Sequence, residues 1–274
     1  MSPYRGAGRP EATYIIERII DIAASQLGYD KVALRRANMI KPTEMPFQTG
    51  LEFTYDSGNF PKLLDTAIRE AGYSDFAKRR DASMANGFLR GFGIANPIEI
   101  AGGPAKTPHP EYVKVTVFPT GSATLVSGSS DSGQGHLTTL RQILHTQLGT
   151  PLEEIELLDG DSRAAPSGTG TFGSRTVTAA GTSIVKCSQT LIDKMHAAAA
   201  NLLDADVDQV FFDEGYYIVY GTNRSVSFME AVKLNGVPVS AEFNGSADNA
   251  TFPNGCHICE VQIDQVTGAV EICS

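Results

Sequence analysis

The sequence predicts an α+β fold in which mixed sheets of β-hairpins pack against helices. Strand-like alternation recurs in pairs around tight turns, as over 112–118 and 122–128 on either side of a Pro-Thr-Gly turn. Helical apolar spacing separates such pairs, most clearly in the Ala-rich segment 177–203. Glycine-rich stretches precede several of the helices, so we expect loops of this kind to gather along one edge of the sheets.

Length and charge narrow the classes of protein and partner. With 274 residues, 42% of them hydrophobic, the chain can bury a core as one large or two smaller domains. The net charge of −9 and the lack of a basic stripe argue against binding to nucleic acid or to an anionic membrane, because both depend on clustered Lys and Arg. Four unevenly spaced cysteines do not form a disulfide framework, which favours a reducing compartment. We therefore expect a cytoplasmic protein.

The first of two predicted parts, over 1–86, is expected to be helical. Its opening motif of glycine and arginine leads into a helix, because Pro10 suits a first helical turn and Gly28 supplies a stop. The polar composition of the last helix in this part indicates a solvated face. The predicted helices span 10–27, 32–39, 61–71 and 74–86.

The second part, over 87–274, is predicted to combine strands with helices. A β-rich segment opens it, and a loop over 101–110 separates this segment from the first hairpin. A second hairpin lies over 258–264 and 269–273, around a Thr-Gly turn like that of the first. The remaining elements are strands over 155–158, 211–212 and 216–220, helices over 137–148, 177–203 and 228–234, and a loop over 244–255.

The motif on which the functional interpretation depends lies between the first hairpin and the helix at 137–148. Gly133, Gln134 and Gly135 fall where a strand turns into a helix, so backbone N–H groups at the helix start can receive an anionic group. Gln134 adds an uncharged amide that donates and accepts hydrogen bonds, on backbone bare enough for a flat ligand to approach closely. From these residues alone, an ordinary strand–turn–helix junction with a surface glutamine is the alternative.

Two further glycine-rich stretches also lead into helices. One contains Arg5, Gly6 and Gly8, and the other runs over 166–176 with Arg175 near its end. Three such junctions could converge on one extended anionic ligand, with the two arginines as charge-assisted partners. The competing interpretation is three unrelated turns. Neither the Walker spacing nor a dinucleotide fingerprint in its strand–helix frame is present, so the standard nucleotide motifs do not apply.

Other candidate sites are weaker. Cys256 and Cys259 resemble half of a metal site, but no second ligand pair accompanies them and they open an alternating strand. The five histidines are scattered, without the spacing of a zinc site. Ser174 lacks the Gly-x-Ser-x-Gly frame of a nucleophile turn. We therefore expect no catalytic residue and no metal site within this chain.

Three motifs taken together resemble those of the molybdenum hydroxylases. They are Tyr-Arg-Gly-Ala-Gly-Arg-Pro-Glu-Ala over 4–12, Gly-Gln-Gly-His over 133–136 and Gly-Thr-Phe-Gly-Ser-Arg over 170–175, in the order and approximate spacing of the family. The chain is similar to the molybdopterin-binding large subunit of the xanthine dehydrogenase, aldehyde oxidase and carbon monoxide dehydrogenase group. The similarity extends over essentially the whole chain, including the terminal hairpin.

The resemblance implies a role for each matched residue. Gln134 matches the glutamine whose amide hydrogen-bonds at the molybdenum and dithiolene end of the cofactor, with backbone from Gly135 and His136 beside it. Arg5 and Gly6 match the arginine–glycine pair beside the molybdenum. The loop whose N–H groups bind the pterin and its phosphates is matched by Thr171, Phe172, Gly173, Ser174 and Arg175.

The resemblance also implies three residues of the substrate pocket. Ala7 falls where xanthine-type members place a substrate-stacking aromatic, and Asn96 and Pro97 fall near another pocket-lining position. An alanine removes the aromatic face, which disfavours a purine substrate. The stretch 6–9 lacks the Cys-Ser-Phe-Arg sequence of true carbon monoxide dehydrogenases, which disfavours carbon monoxide.

The activity implied by the resemblance is hydroxylation of an aldehyde or an N-heterocycle with water as the oxygen source. The implied cofactor is molybdopterin with molybdenum, in a dinucleotide form, and the implied partners are the remainder of the large subunit, flavin and iron–sulfur subunits or domains, and a small-molecule substrate. The family's catalytic glutamate lies in a motif that this sequence does not contain. We therefore expect a fragment of a longer large subunit, which alone is inactive and lacks the cofactor.

A second hypothesis belongs to another class. The chain would then be a non-catalytic binding or assembly domain that has the same fold without the site. The two hypotheses differ in whether Gln134, the amides of 172–174 and Arg5 face one common cleft.

Overall fold

A computed structural model describes residues 5–102 and 109–274 of the chain. Tyr4 of the first motif and residues 103–108 of the predicted loop lie outside the described residues. The chain divides into two compact units, one of Met1–Glu99 with Phe252–Ser274 and the other of Ile100–Thr251. No helix in the described ranges is long and apolar enough to cross a membrane.

The described residues form seven helices, close to the spans expected from the sequence. They are α1 (Arg9–Leu27), α2 (Lys31–Asn38), α3 (Phe60–Glu70), α4 (Phe76–Ala85), α5 (His136–Leu148), α6 (Thr176–Leu202) and α7 (Phe228–Asn235). Their ends follow the sequence signals. Gly28 ends α1 in the left-handed conformation with φ 69°, and Ser227 caps α7 in a capping box with Glu230.

Twelve short strands complete the secondary structure of the described residues, in four sheets. They are β1 (Phe47–Gln48), β2 (Thr54–Tyr55), β3 (Phe88–Ala95), β4 (Glu111–Val117), β5 (Ala123–Ser127), β6 (Ile155–Asp159), β7 (Val210–Asp213), β8 (Tyr216–Val219), β9 (Ser225–Ser227), β10 (Val239–Gly245), β11 (His257–Asp264) and β12 (Val270–Ile272). The mixture of helices with mainly antiparallel sheets confirms the α+β prediction.

The unit that contains both chain ends is built around β3, β11 and β12. β11 pairs antiparallel with β3 along its whole length, from His257 opposite Ala95 to Asp264 opposite Phe88, and with β12 on its other side. The predicted terminal hairpin is therefore confirmed. The core of this unit is small and consists of Val32, Leu64, Phe92 and Ile94 with partly buried neighbours.

The pairing of β11 with β3 also explains where the units divide. The terminal hairpin belongs with the first hundred residues, because β3 supplies the strand on which β11 lies. The division after residue 86 that the sequence predicts separates two parts of the chain by their expected role in cofactor binding. That division stays a prediction.

One face of α4 is less solvated than the sequence suggests. Arg79 donates to Glu260 of β11 over 2.7 Å, and Arg90 of β3 donates to the same carboxylate. Glu260 is 2% exposed, and the hydrogen bonds from the two arginines hold its pKa below the usual range. The prediction that this helix presents a solvated face is wrong at Arg79, because its guanidinium pairs with a buried carboxylate on a strand.

An apolar stripe on α1 faces solvent. Ile15, Ile16 and Ile19 are 56%, 58% and 60% exposed, whereas Ala24 on the opposite face is 2% exposed. The apolar residues of α1 do recur at helical spacing. However, only the face that contains Ala24 packs against other described residues.

The second unit is organised by the four-stranded sheet β10-β4-β5-β6. β4 and β5 form the predicted antiparallel hairpin, which is confirmed, and β10 adds an edge strand within a region that the sequence left unassigned. β6 pairs with β5 in parallel, from Ala123 opposite Ile155 to Ser127 opposite Asp159, with α5 as the crossover between them. The carboxyl ends of β5 and β6 therefore lie side by side at one edge of the sheet.

Helix α6 forms the centre of this unit's core. It packs on β4 and β10 and against α5, and its buried residues include Ile184, Leu191 and Met195. The small antiparallel sheet of β7, β8 and β9 adds the fully buried Tyr217, whose hydroxyl donates to the carbonyl of Ile192 over 2.8 Å. The long helix therefore starts at the carboxyl edge of the sheet and is held there by packing along its length.

Candidate functional site

Two of the three predicted glycine-rich loops meet in the structure. The loop after β5 and the loop that precedes α6 both arise from the carboxyl ends of adjacent parallel strands. They touch at Gly128, where an added Cβ would stand 2.8 Å from the Cα of Gly168. The Ser130 N–H also donates to the Thr171 hydroxyl over 3.2 Å. The position at the end of a parallel strand pair is where α/β sheets commonly bind ligands.

Asp131 organises the first loop. Its carboxylate accepts the backbone N–H groups of Gly133 and Gln134, both over 2.7 Å, and that of His136 over 3.0 Å. These hydrogen bonds hold the pKa of Asp131 below its ordinary value. The carboxylate is thus itself an anion bound at the start of α5, where the sequence predicted an anion-binding cradle.

Gln134 itself lies exposed at the tip of this loop. Its side-chain oxygen accepts from the Ser132 N–H, which fixes the side chain against its own turn. The side-chain NH2 group is thereby the end of Gln134 that can donate outward. Gly135, with φ 80°, ends the loop at the first turn of α5.

His136 ties the first loop to β6. Its side chain is 4% exposed, and its Nδ1 lies 3.1 Å from the carboxylate of Asp159 at the end of β6. The same Asp159 carboxylate accepts the Asp131 N–H over 3.0 Å. Asp159 therefore fixes the loop at two points, through a buried ring and through the backbone.

The second loop presents a strained backbone turn before α6. Gly170, Gly173 and Ser174 have φ of 77°, 60° and 54°, and Ser174 is a residue type that rarely adopts this conformation. Phe172 between them is 43% exposed, and the carbonyl of Ser174 accepts the Gly102 N–H over 3.2 Å. Left-handed residues in a loop of this kind can turn backbone N–H groups towards an anion.

Arg175 points into the protein. Its side chain is 0% exposed, and its Nη1 lies 2.6 Å from the equally buried carboxylate of Glu111 on β4. The guanidinium also donates to the carbonyls of Gly170, His109 and Pro110, over 2.9, 3.1 and 3.0 Å. The expected pairing of this guanidinium with an anionic ligand does not match its position, because Glu111 already neutralises it inside the fold. A cofactor contact from the Arg175 backbone stays a prediction.

Sequence reasoning missed Glu111. Burial raises the pKa of this carboxyl, while the Arg175 guanidinium and, more weakly, His136 act in the opposite direction. The available signal was a charged residue at the start of a strand, 111–117, in which apolar residues alternate with polar ones. Its partner, however, lies 64 positions away and cannot be found from local pattern.

The remaining predicted site residues lie in the other unit. Arg5, Gly6 and Ala7 form an exposed turn before α1, with φ of 84° at Gly6 and 48° at Ala7. Arg9 of the same turn lies 3.3 Å from Glu99, so the structure brings this turn close to the segment that contains Asn96 and Pro97.

Asn96 is held from one side only. Its backbone N–H donates to Glu17 over 2.5 Å, and Glu17 also binds the buried Arg35 over 2.8 Å. The side-chain Nδ2 of Asn96 is buried and finds no hydrogen-bond partner among the described residues. A buried donor without a partner is costly, and it is the kind of group that a ligand can satisfy.

The chemistry available at the two loops is hydrogen bonding to an anion. Helix α5 has 13 residues and α6 has 27, and both begin at the loops, so the positive ends of two helix dipoles lie beside each other. Within the described residues, no group of three or more His, Cys, Asp or Glu side chains can hold a metal ion.

Comparison with known families identifies that ligand class. A family model described as molybdopterin cofactor-binding domain matches residues 66–274. This chain belongs to the molybdopterin cofactor-binding domain family. A second model with the same description matches residues 1–39, which include the turn of Arg5 and Gly6. The predicted family is therefore confirmed.

Relatives of this molybdopterin cofactor-binding chain are large subunits of oxidoreductases. It is 32% identical to the carbon monoxide dehydrogenase large chain of Hydrogenophaga pseudoflava, over 96% of this chain and 35% of that protein. It is 29% identical to the nicotine 6-hydroxylase large subunit of Paenarthrobacter nicotinovorans, over 99% and 36%. The chain therefore spans about a third of the length of these relatives.

The fold agrees with that of solved relatives. The structure matches quinoline 2-oxidoreductase from Pseudomonas putida 86 with a TM-score of 0.89 at 26% identity, over 98% of this chain and 37% of that one. The fold class expected from the resemblance, that of the molybdopterin-binding part of the large subunit, is thus confirmed.

Proposed function

We propose that this chain holds a molybdopterin cofactor through the two loops at the carboxyl edge of β5 and β6, as part of a molybdenum-dependent hydroxylase. The observation that supports this most directly is the contact between the loops, through Ser130 and Thr171 and through Gly128 and Gly168. Two amide-bearing turns from distant parts of the chain can then bind different ends of one extended anionic ligand.

The residues fit such a ligand in distinct ways. The Gln134 side chain donates from the tip of the first loop, and the backbone of Gly135 and His136 borders it. In the second loop the left-handed turns at Gly173 and Ser174 suit backbone N–H groups to phosphate oxygens. Thr171, Phe172 and the Arg175 backbone complete this loop.

For the first unit we propose a cofactor contact and a substrate pocket. Arg5 and Gly6 are proposed to lie beside the metal end, with Ala7, Asn96 and Pro97 lining the substrate pocket. The unpartnered Nδ2 of Asn96 supports a polar contact there. Ala7 offers no aromatic face.

When bound, the molybdenum cofactor supplies two-electron redox chemistry, which we propose is used to hydroxylate an aldehyde or an N-heterocycle with oxygen from water. The residues of this chain bind and orient the cofactor and transfer no proton. We therefore propose that the chain alone is inactive and is isolated without molybdenum. Metal analysis tests this point, and stoichiometric molybdenum or hydroxylation by the isolated chain would contradict it.

We propose that the remainder of the large subunit covers the exposed stripe of α1, and that flavin and iron–sulfur subunits or domains accept the electrons. The stripe supports an apolar partner, because Ile15, Ile16 and Ile19 together expose more contiguous apolar surface than a solvated helix needs. This chain aligns with about a third of the length of its relatives. The remaining two thirds of such a subunit supply the residues that would cover the stripe.

The cofactor proposal is tested in a complete large subunit that contains this chain. Gly173→Val places a β-branched residue at φ 60°, and the resulting displacement of the loop is expected to reduce the pterin content at least tenfold, measured as the fluorescent oxidised pterin. Gly121→Val is the matched control, since it introduces the same kind of strain at φ 99° in the hairpin turn of β4 and β5. Equal pterin content in both variants would favour the non-catalytic binding or assembly domain.

A further inference from the structure

Glu111 and Arg175 form a buried pair directly behind the second loop. Both side chains are 0% exposed, and the Nη1–Oε2 distance is 2.6 Å. A fully buried ion pair is seldom a net source of stability, because desolvating both charges offsets their attraction. The pair therefore calls for an explanation other than stability.

The geometry of the guanidinium suggests that explanation. Arg175 gathers three carbonyl groups, those of His109, Pro110 and Gly170, around a planar fork whose orientation the Glu111 carboxylate sets. In a trans peptide the C=O of one residue and the N–H of the next point in opposite directions. With the Gly170 carbonyl drawn towards Arg175, the Thr171 N–H is turned away from it.

A second contact fixes the other end of the same turn. The Ser174 carbonyl accepts the Gly102 N–H over 3.2 Å, so the peptide between Ser174 and Arg175 is also held. The segment 171–174 is thus anchored at both ends by hydrogen bonds to carbonyls, at Gly170 and at Ser174. At the first of these ends, the Thr171 N–H is left to the outer side of the loop.

We infer that Glu111 is a positioning residue for the proposed cofactor loop: it holds the Arg175 guanidinium so that the turn 171–174, with the Thr171 N–H on its outer side, is fixed before a ligand arrives. This inference rests on the proposed function for its biological meaning. The orientation itself is a property of the chain without a ligand.

Two atoms of the pair lack a hydrogen-bond partner within the described ranges, and this supports a role in positioning the loop rather than a role in packing. Glu111 Oε1 and Arg175 Nε are buried and have no hydrogen-bond partner among the described residues. A pair selected for stability alone would be expected to use these groups. Glu111 Oε1 lies instead beside the loop crossing, 2.6 Å from where a Cβ of Gly128 would stand.

The test compares Glu111→Gln with Glu242→Gln in this chain by hydrogen–deuterium exchange. Glu242 lies on β10 of the same sheet, where it accepts from the Tyr112 hydroxyl over 2.8 Å, so the control removes a carboxylate without touching the loop. Two amides report on the loop because they donate to it, Gly102 to the Ser174 carbonyl and Ser130 to the Thr171 hydroxyl. In Glu111→Gln we expect these two amides to exchange at least tenfold faster, while exchange in β4, β5 and the interior of α6 changes less than threefold. In Glu242→Gln both amides are expected to keep their protection.

A second variant covers the case in which Glu111→Gln does not fold. Arg175→Lys keeps a positive charge beside Glu111 but loses the fork that holds the three carbonyls, so the same local rise in exchange is expected. Unchanged exchange at Gly102 and Ser130 in the folded variants, or a uniform rise across the unit, would overturn the inference.

The cofactor enters only in a separate measurement. In the complete large subunit, Glu111→Gln is expected to lower pterin content several-fold relative to Glu242→Gln. If the unsubstituted subunit contains no pterin, the proposed function fails, and the exchange experiment still decides whether Glu111 positions the loop.

Discussion

Gly128 and Gly168 cross at van der Waals contact, so that a Cβ added at Gly168 would stand 2.6 Å from the Cα of Gly128. The two residues belong to different loops and are 40 positions apart in the sequence. Backbone meets backbone at this crossing, and no flexible side chain can move aside to make room.

Substitution at this crossing should separate the loops. We expect Gly168→Ala to lower the free energy of unfolding by ~1–3 kcal/mol, the usual effect of overpacking, and to lower pterin content in the complete subunit. Gly93→Ala is the control, because its Cβ would meet only the Cys259 carbonyl at 3.8 Å. Thermal unfolding of the two variants checks this, and equal melting temperatures would contradict the proposed contact.

The carboxylate of Asp131 should make the stability of the first loop depend on pH. Hydrogen bonds from backbone N–H groups lower its folded-state pKa, so its contribution is fully present above the unfolded-state pKa of about 3.9 and is lost as pH falls through the lower folded value. Asp131→Asn keeps an acceptor but no charge. Its melting temperature should therefore lie below that of the unsubstituted chain at pH 6, and the difference should shrink as pH falls from 6 to 2. A difference that stays constant between these pH values would contradict the assignment.

Glu260 should be the most sensitive carboxylate of the first unit. Glu260→Gln leaves Arg79 and Arg90 facing a neutral group, and we expect a loss of about 2 kcal/mol in the free energy of unfolding. Fully buried pairs lose ~3–5 kcal/mol, but these arginine side chains are 31% and 17% exposed. Glu271→Gln on the exposed strand β12 is the control and should change stability by less than ~0.5 kcal/mol. Denaturant titration compares them.

A charged side chain should affect the free energy of unfolding differently on the two faces of α1. Ile19→Glu on the exposed stripe should leave the free energy of unfolding within ~0.5 kcal/mol of the unsubstituted value in denaturant titration. Ala24→Glu on the buried face should cost ~1–3 kcal/mol, the usual effect of overpacking, since a longer side chain at this 2% exposed position must displace its neighbours. A destabilised Ile19→Glu variant would mean that the stripe packs within this chain.

Local features of the fold could be predicted because their causes are local. The hairpin of β4 and β5 and the terminal hairpin follow from turn residues a few positions from the strands they join. The cap at Ser227 and the stop at Gly28 follow from one residue each. The parallel pairing of β5 with β6 could not be predicted in this way, since 27 residues and a helix separate the two strands and periodicity does not state a partner.

The same distinction between local and long-range causes applies to the candidate site. Three motifs identified the family and the loops, because each is a continuous run of residues. The partners of individual side chains within these runs could not be predicted. Arg175 lies in a motif that we propose binds an anionic ligand, yet its guanidinium pairs with Glu111. Asp131 supplies an anion of the protein's own to the first loop. Charge in a motif does not reveal on which side of the backbone it will lie.

The parallel pairing of β5 and β6 has a practical consequence for engineering. The register of these strands is set within the strands themselves, so we expect the sheet to persist when the loops that follow them are exchanged. The second loop of this chain can be moved to another scaffold only together with a carboxylate at the position of Glu111, because Arg175 would otherwise be a lone cation in a dry interior.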